Sequence, residues 1–169
     1  CSEDHTIKVW NIETMKEEKT LYGHTSSVYD LSLSRDSKFL YSCSADHSMR
    51  VWHVDMGRVE RIIEGHKNEV VGVRVSPDQK TIFSISKDHT VRKWVNEIFE
   101  EEIILENHSD LVNRAVVDFS NKYLISCSMD ETVKIWDFEK NTELRTLRGH
   151  KGPVNCFFFN DTATTEIYT

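Results

Sequence analysis

A tryptophan returns every 42 residues along this chain, at Trp10, Trp52, Trp94 and Trp136. A histidine keeps the same interval at His24, His66, His108 and His150, and an aspartate at Asp4, Asp46, Asp88 and Asp130. No insertion or deletion interrupts the register. A period of this length constrains the fold more than local propensity does. The structural unit is the repeat, a single repeat cannot bury its own apolar face, and copies must stack. The 169 residues hold about four such units.

Each unit reads as four short strands. The first is a mostly apolar, β-branched run at 28–33, 70–75 and 112–117, the signature of a well-buried inner strand. A polar turn follows, and Pro77 before Asp78 is a type I turn signal. The second strand is expected at 39–44, 81–86 and 123–128. The third alternates and ends on the Trp, at 7–10, 49–52, 91–94 and 133–136. The fourth is polar except near its end, at Leu21, Ile63, Leu105 and Leu147, which suits an outer edge where charge discourages stray pairing.

Composition narrows the function. The formal charge is -7 and the cations are scattered, so a double-stranded nucleic acid, which needs clustered Lys and Arg, is a poor partner. No apolar run approaches the ~18 residues of a membrane span. The N-terminus has neither a start Met nor a signal-peptide pattern and reads as the interior of a coding region. Cys1, Cys43 and Cys127 share one slot, which holds Ile85 in the remaining repeat, so the slot is expected to be a buried apolar one with reduced thiols. Reduced thiols favour a cytoplasmic or nuclear location.

Four antiparallel strands per period, each unit closed by Gly-His, describe a propeller blade. The in-phase motifs over residues 1 to about 156 resemble the WD-repeat (WD40) β-propeller family. The resemblance implies an all-β fold: a β-propeller arc of four-stranded antiparallel blades, three complete and one partial at each end. Its expected bounds are a partial blade at 1–22, blades at 26–64, 68–106 and 110–148, and a partial blade at 152–159. Propellers have ~4–8 blades, so an arc of a larger ring is expected. The alternative is a small ring closed by pairing the two end pieces.

Three departures stand out. Only Trp136-Asp137 carries the namesake dipeptide. Asn107-His108 replaces one Gly-His, and Asn is the non-Gly residue best suited to positive φ. Lys93 sits where other repeats have Val9, Val51 and Ile135; its stem is expected to cover apolar surface while its ammonium reaches water.

The resemblance also implies one hydrogen-bonded chain of His, Ser, Asp and Trp in each blade. It maps onto His24, Ser42, Asp46 and Trp52; onto His66, Ser84, Asp88 and Trp94; and onto His108, Ser126, Asp130 and Trp136. The chemistry is sensible, since a buried Trp donor needs an acceptor and a hydroxyl supplies one. A Ser-His-Asp set also suggests a catalytic triad, but a nucleophile must be exposed beside an oxyanion hole. A set repeated three times, with its hydroxyl committed to a Trp, is structural, so no catalytic residue is expected. The eight histidines include a series at His5, His47 and His89 after the turn aspartates. Equivalent positions on neighbouring sheets stand ~10 Å apart, too far to share a metal. Neither a metal nor a cofactor is expected.

The pattern stops near the C-terminus. On the 42-residue register Tyr168 falls on the slot of Ser126. Residues 160–169 resemble the translation of a sequencing-adapter oligonucleotide and are expected to be a non-native tail.

The functional expectation is a non-enzymatic scaffold for other proteins or peptides. By resemblance, partners dock on the face carrying the lead-in loops and the turns before the network aspartates: Ser27, Tyr29 and Ala45; Glu69, Val71 and Lys87; Leu111, Asn113 and Met129. Tyr29, Leu111 and Met129 are the anchor candidates, because aromatic and aliphatic groups dominate interface energies. The alternative is a targeting or substrate-recognition module of a larger enzyme such as a kinase or ubiquitin ligase.

Overall fold

The computed structural model describes residues 1–96, 100–118, 120–160 and 166–168, and every regular element among them is a β-strand. β1 (Ile7–Asn11) and β2 (Lys16–Leu21) form a two-stranded antiparallel sheet. β3 (Val28–Leu33), β4 (Phe39–Ser44), β5 (Met49–His53) and β6 (Arg58–Ile63) form a four-stranded sheet in chain order. β7 (Val70–Val75), β8 (Thr81–Ser86), β9 (Val91–Val95) and β10 (Glu100–Leu105) form a second such sheet, and β11 (Val112–Val117), β12 (Tyr123–Ser128), β13 (Val133–Asp137) and β14 (Thr142–Leu147) a third. β15 (Phe158–Asn160) pairs with β16 (Glu166–Tyr168).

The first and second strands of each four-stranded sheet lie where their apolar runs place them. Each third strand extends one residue past its Trp. The C-terminal inner strand does not start at Val154 as the repeat phase implies: residues 153–157 have no regular pairing and β15 begins at Phe158. Of the tail at 160–169, only 160 and 166–168 fall within the described residues.

The chain divides into two compact units, Cys1–Val73 and Arg74–Thr169, with the boundary inside β7. In the first unit a core of Ile7, Leu21, Val28 and Trp52, flanked by Leu31, Leu40 and Val59, joins the β1–β2 sheet to the β3–β6 sheet. Gly23 lies tight against it: a Cβ there would meet Arg50 Nη1 at 2.5 Å and the Trp52 ring at 3.2 Å. In the second unit Ile125, Cys127, Val133, Val154 and Phe157 form an equivalent core, so 154–157 supplies packing without supplying a strand.

Slots shared in sequence are not always shared in environment. Trp52, Trp94 and Trp136 are buried, whereas Trp10 is 57% exposed. The β1–β2 sheet has no first or second strand to cover it. Cys43 and Cys127 are buried, but Cys1 is exposed for the same reason, and Cys156 is exposed as well; all four thiols are free. The buried-thiol expectation therefore fails at Cys1.

Lys93 also departs from expectation, since it is only 6% exposed. Its ammonium is held by acceptors of the β13–β14 turn. It lies 3.4 Å from Phe138 O, 3.3 Å from Asn141 Oδ1 and 4.9 Å from the Phe138 ring centre. In the first unit Lys19 reaches the equivalent turn, donating to Val54 O at 3.0 Å and Asp55 O at 2.7 Å. Lys19 pairs across the ladder with Val9, and Lys93 with Ile103. The cation has changed strands while its target, the hairpin turn of the next sheet, stays the same.

Candidate interaction face

The polar chain of each sheet is built by its second and third strands plus the loop leading into the first. In the β3–β6 sheet Trp52 Nε1 donates to Ser42 Oγ at 2.8 Å, His24 Nε2 lies 2.7 Å from the same oxygen, and His24 Nδ1 lies 2.7 Å from Asp46 Oδ2. The β11–β14 sheet repeats this: Trp136 Nε1 to Ser126 Oγ at 2.9 Å, His108 Nε2 to Ser126 Oγ at 2.8 Å, and His108 Nδ1 to Asp130 Oδ2 at 2.8 Å. The middle set is divided between the two units. Trp94 donates to Ser84 at 2.8 Å and Asp88 caps its own turn in the second unit, while His66 belongs to the first. Ser42 and Ser126 are 0% exposed with their oxygens engaged, so neither can attack a substrate.

The electrostatics follow from these bonds. Burial alone would raise the Asp46 carboxyl, but donors from His24, Ser48 and Thr25 N outweigh it and hold the group well below its ordinary value. At Asp130 the same opposition, against Thr132, His108 and Ser109 N, brings the carboxyl to about 2. Burial lowers His108, against the pull of Asp130. Among the described residues no group of three His, Cys, Asp or Glu side chains is placed to hold a metal ion.

Two recurring hydroxyls extend the chain beyond what the sequence reading singled out. Ser44 Oγ accepts Asp46 N at 3.1 Å and donates to Ser26 O at 3.2 Å; Ser128 Oγ accepts Asp130 N at 3.0 Å and donates to Asp110 O at 3.0 Å. Ser48, Thr90 and Thr132 donate to the carboxylate two residues before them. The spacings Ser-x-Ser and Asp-x-Ser/Thr were visible in the sequence as in-phase signals. In the first and third four-stranded sheets these bonds tie the lead-in loop to the turn beside it. Ala45 N donates to Ser27 O at 2.9 Å, and Met129 N to Leu111 O at 2.9 Å.

The residue after the turn aspartate has left-handed backbone in every repeat: φ is 70° at His5, 68° at His47, 71° at His89 and 67° at Glu131. His is tolerated there better than most side chains, which gives this histidine series a backbone role. Asn107, by contrast, has no positive φ; its Nδ2 donates to Glu143 Oε2 at 3.0 Å. The replacement of Gly is met by a side-chain bond, not by left-handed backbone.

Against known proteins, the WD domain, G-beta repeat family matches residues 15–53, 57–94 and 99–137. The chain belongs to the WD40 repeat family. A relative, the Lissencephaly-1 homolog of Caenorhabditis briggsae, is 55% identical over 40 residues, which is 24% of this chain and 10% of that protein. The chain thus matches about a tenth of the relative's length. The matched WD40 repeats are offset from the blades: each begins at the fourth strand of one sheet and ends with the third strand of the next.

Of the nine positions expected from the sequence to dock partners, Tyr29 and Met129 are the exposed ones, at 42% and 38%. Ser27, Ala45, Glu69, Val71, Lys87, Leu111 and Asn113 are half-buried. Tyr29 is the extra residue of a β-bulge, because the register passes from Val28 opposite Ser44 to Asp30 opposite Cys43. Asn113 is the extra residue of the matching bulge in the third blade. A bulge re-aims a side chain out of the ladder. Both residues then reach the next blade: Tyr29 Oη donates to Glu69 Oε2 at 2.7 Å, and Asn113 Nδ2 to Val154 O at 3.0 Å. In the first unit Ser27, Tyr29, Ala45, Glu69 and Val71 fall together; Lys87, Leu111, Asn113 and Met129 belong to the second. Asp30, whose Oδ2 accepts Val73 N at 3.1 Å, was not among the candidates, and no periodic signal marks it.

Proposed function

We propose that this WD40 chain is a non-enzymatic scaffold that docks proteins or peptides on the lead-in loops and pre-aspartate turns of each unit, with Tyr29 as the anchor in the first unit and Leu111 and Met129 as the anchors in the second. The observation that carries the reading is the bulge at the start of the first strand. It turns Tyr29 and Asn113 out of the ladder, while buried bonds from Ser44 and Ser128 hold the loops around them. Loops whose backbone is already fixed lose little entropy on binding, which is what a recognition surface needs. The Ser-His-Asp sets serve that rigidity and have no hydroxyl left for chemistry.

The test begins with cross-linking mass spectrometry to identify a partner, which is then purified. Tyr29→Ala and Met129→Ala should each weaken its binding about tenfold or more with melting unchanged. Substitution of the distant, exposed Lys140 should leave binding intact. Equal affinity for wild type, Tyr29→Ala and Met129→Ala would remove this face from consideration.

A further inference from the structure

The hydrogen bonds of the third blade fix where each of its protons lies. The Trp136 indole only donates, so Ser126 Oγ accepts from it at 2.9 Å. The Asp130 carboxylate only accepts, so His108 Nδ1 carries a proton and donates to it at 2.8 Å. Ser126 has one proton, which goes to His108 Nε2 at 2.8 Å. The imidazole is therefore neutral and the chain is saturated. A second proton on Nε2 would make that nitrogen a donor aimed at Ser126 Oγ. The serine proton would then have no acceptor in a site that is 0% exposed.

The charged groups around His108 come from three elements. Asp130 lies in the turn after β12, Lys134 on β13 and Glu143 on β14. Asp130 and Glu143 favour the imidazolium, while burial, the largest effect, and Lys134 oppose it. Lys134 is itself buried and held by Glu143 at 2.8 Å and Thr146 at 2.9 Å, so it cannot easily withdraw. An imidazolium that is poorly accommodated here has one exit, toward water. His108 sits in the lead-in loop, so its exit moves the loop. That loop is fastened beside it, by Ser109 N to Asp130 Oδ2 at 3.1 Å and by Leu111 O to Met129 N at 2.9 Å.

We propose that protonation of His108 releases the lead-in loop 109–111 and the turn at Met129 from the third blade, so that acid withdraws this part of the docking face. Its use in regulating partner binding rests on the docking function proposed above; the release itself does not. The experiment is an NMR titration of the 169-residue chain, without partner, from about pH 7.5 to about pH 5. It follows the His108 ring, the Trp136 indole N–H and amide exchange protection. Protection at Ser109 and Met129 should fall about tenfold or more in step with His108, while Phe138 N, bonded to Lys122 O at the other end of the sheet, keeps its protection. Lys134→Met removes the opposing cation and should move the transition upward by about half a pH unit or more. Unchanged protection at Ser109 and Met129 through the His108 titration overturns the proposal. So does simultaneous loss at Ser109, Met129 and Phe138, which is global unfolding. Because no partner is present, either failure leaves the docking reading to its own binding test.

Discussion

The Lys93 ammonium lies 4.9 Å from the centre of the Phe138 ring and 3.4 Å from the Phe138 carbonyl oxygen, spanning from one sheet to the turn of the next. Lys19 holds the equivalent turn of another sheet from the neighbouring strand. The two lysines are the same clamp delivered from opposite sides of one cross-strand pair. Lys93→Val, which installs the residue found at positions 9 and 51, should cost about 1 kcal/mol of stability through the lost hydrogen bonds and ring contact. Adding Ile103→Lys on the facing position should recover most of that loss. Urea denaturation decides: a Lys93→Val chain as stable as wild type would show that the clamp contributes nothing.

Ser126, 0% exposed, accepts from Trp136 and donates to His108. Ser126→Ala should therefore destabilise the chain by about 2 kcal/mol, the desolvation cost of stranding buried polar groups. The Trp136 indole proton should shift in the NMR spectrum. An unchanged denaturation midpoint would contradict the structural role assigned to this hydroxyl.

The sheets themselves were legible in the sequence, because strand alternation and a fixed period are strong signals. Val28, Val70 and Val112 mark the starts of three first strands at equal spacing. The polar chains were legible through the resemblance. What periodicity could not convey was environment. Trp10 and Cys1 occupy the same slots as Trp52 and Cys43, yet they are exposed because burial depends on strands elsewhere in the sheet. Lys93 resembled a snorkelling surface residue because its acceptors lie far along the chain. The bulges at Tyr29 and Asn113 leave no trace, since an extra residue opposite the second strand does not alter the 42-residue count.

Glu131 has φ of 67° with a side chain ill suited to that region, and its equivalents are histidines. Glu131→Gly should stabilise the chain by about 1 kcal/mol by relieving the left-handed penalty. Thermal melting checks it; a lower melting temperature would show that the Glu131 side chain contributes more than its backbone costs.

Acid should act on Asp130 at lower pH than on His108. The folded carboxyl lies at about 2, below its ordinary 3.8. The unfolded state therefore binds the proton first, and the contribution is full above 3.8 and is lost as pH falls toward 2. Wild type should lose stability across that window from this group, by less than the whole shift because His108 and Ser109 N leave the carboxylate at higher pH and Thr132 remains. Asp130→Asn should show a correspondingly flatter stability curve there. An equal slope in the two chains would contradict it.

Thiol chemistry separates the four cysteines. Burial pushes the Cys127 thiol up to about 12, whereas Cys1 and Cys156 are exposed. An aromatic disulfide reagent at neutral pH should label Cys1 and Cys156 promptly and Cys127 only on denaturation. Prompt labelling at Cys127 would show that the Val154–Phe157 packing over it opens in the native chain.

The matched repeats and the sheets are out of step by one strand. A duplication copying one repeat therefore transmits a fourth strand for the sheet already present and three strands awaiting a fourth from the following copy. Gain or loss of a whole copy preserves strand count in every interior sheet. Inheritance in this staggered unit lets an array change length without a frame of partly built sheets in between, and it sews each seam with continuous chain.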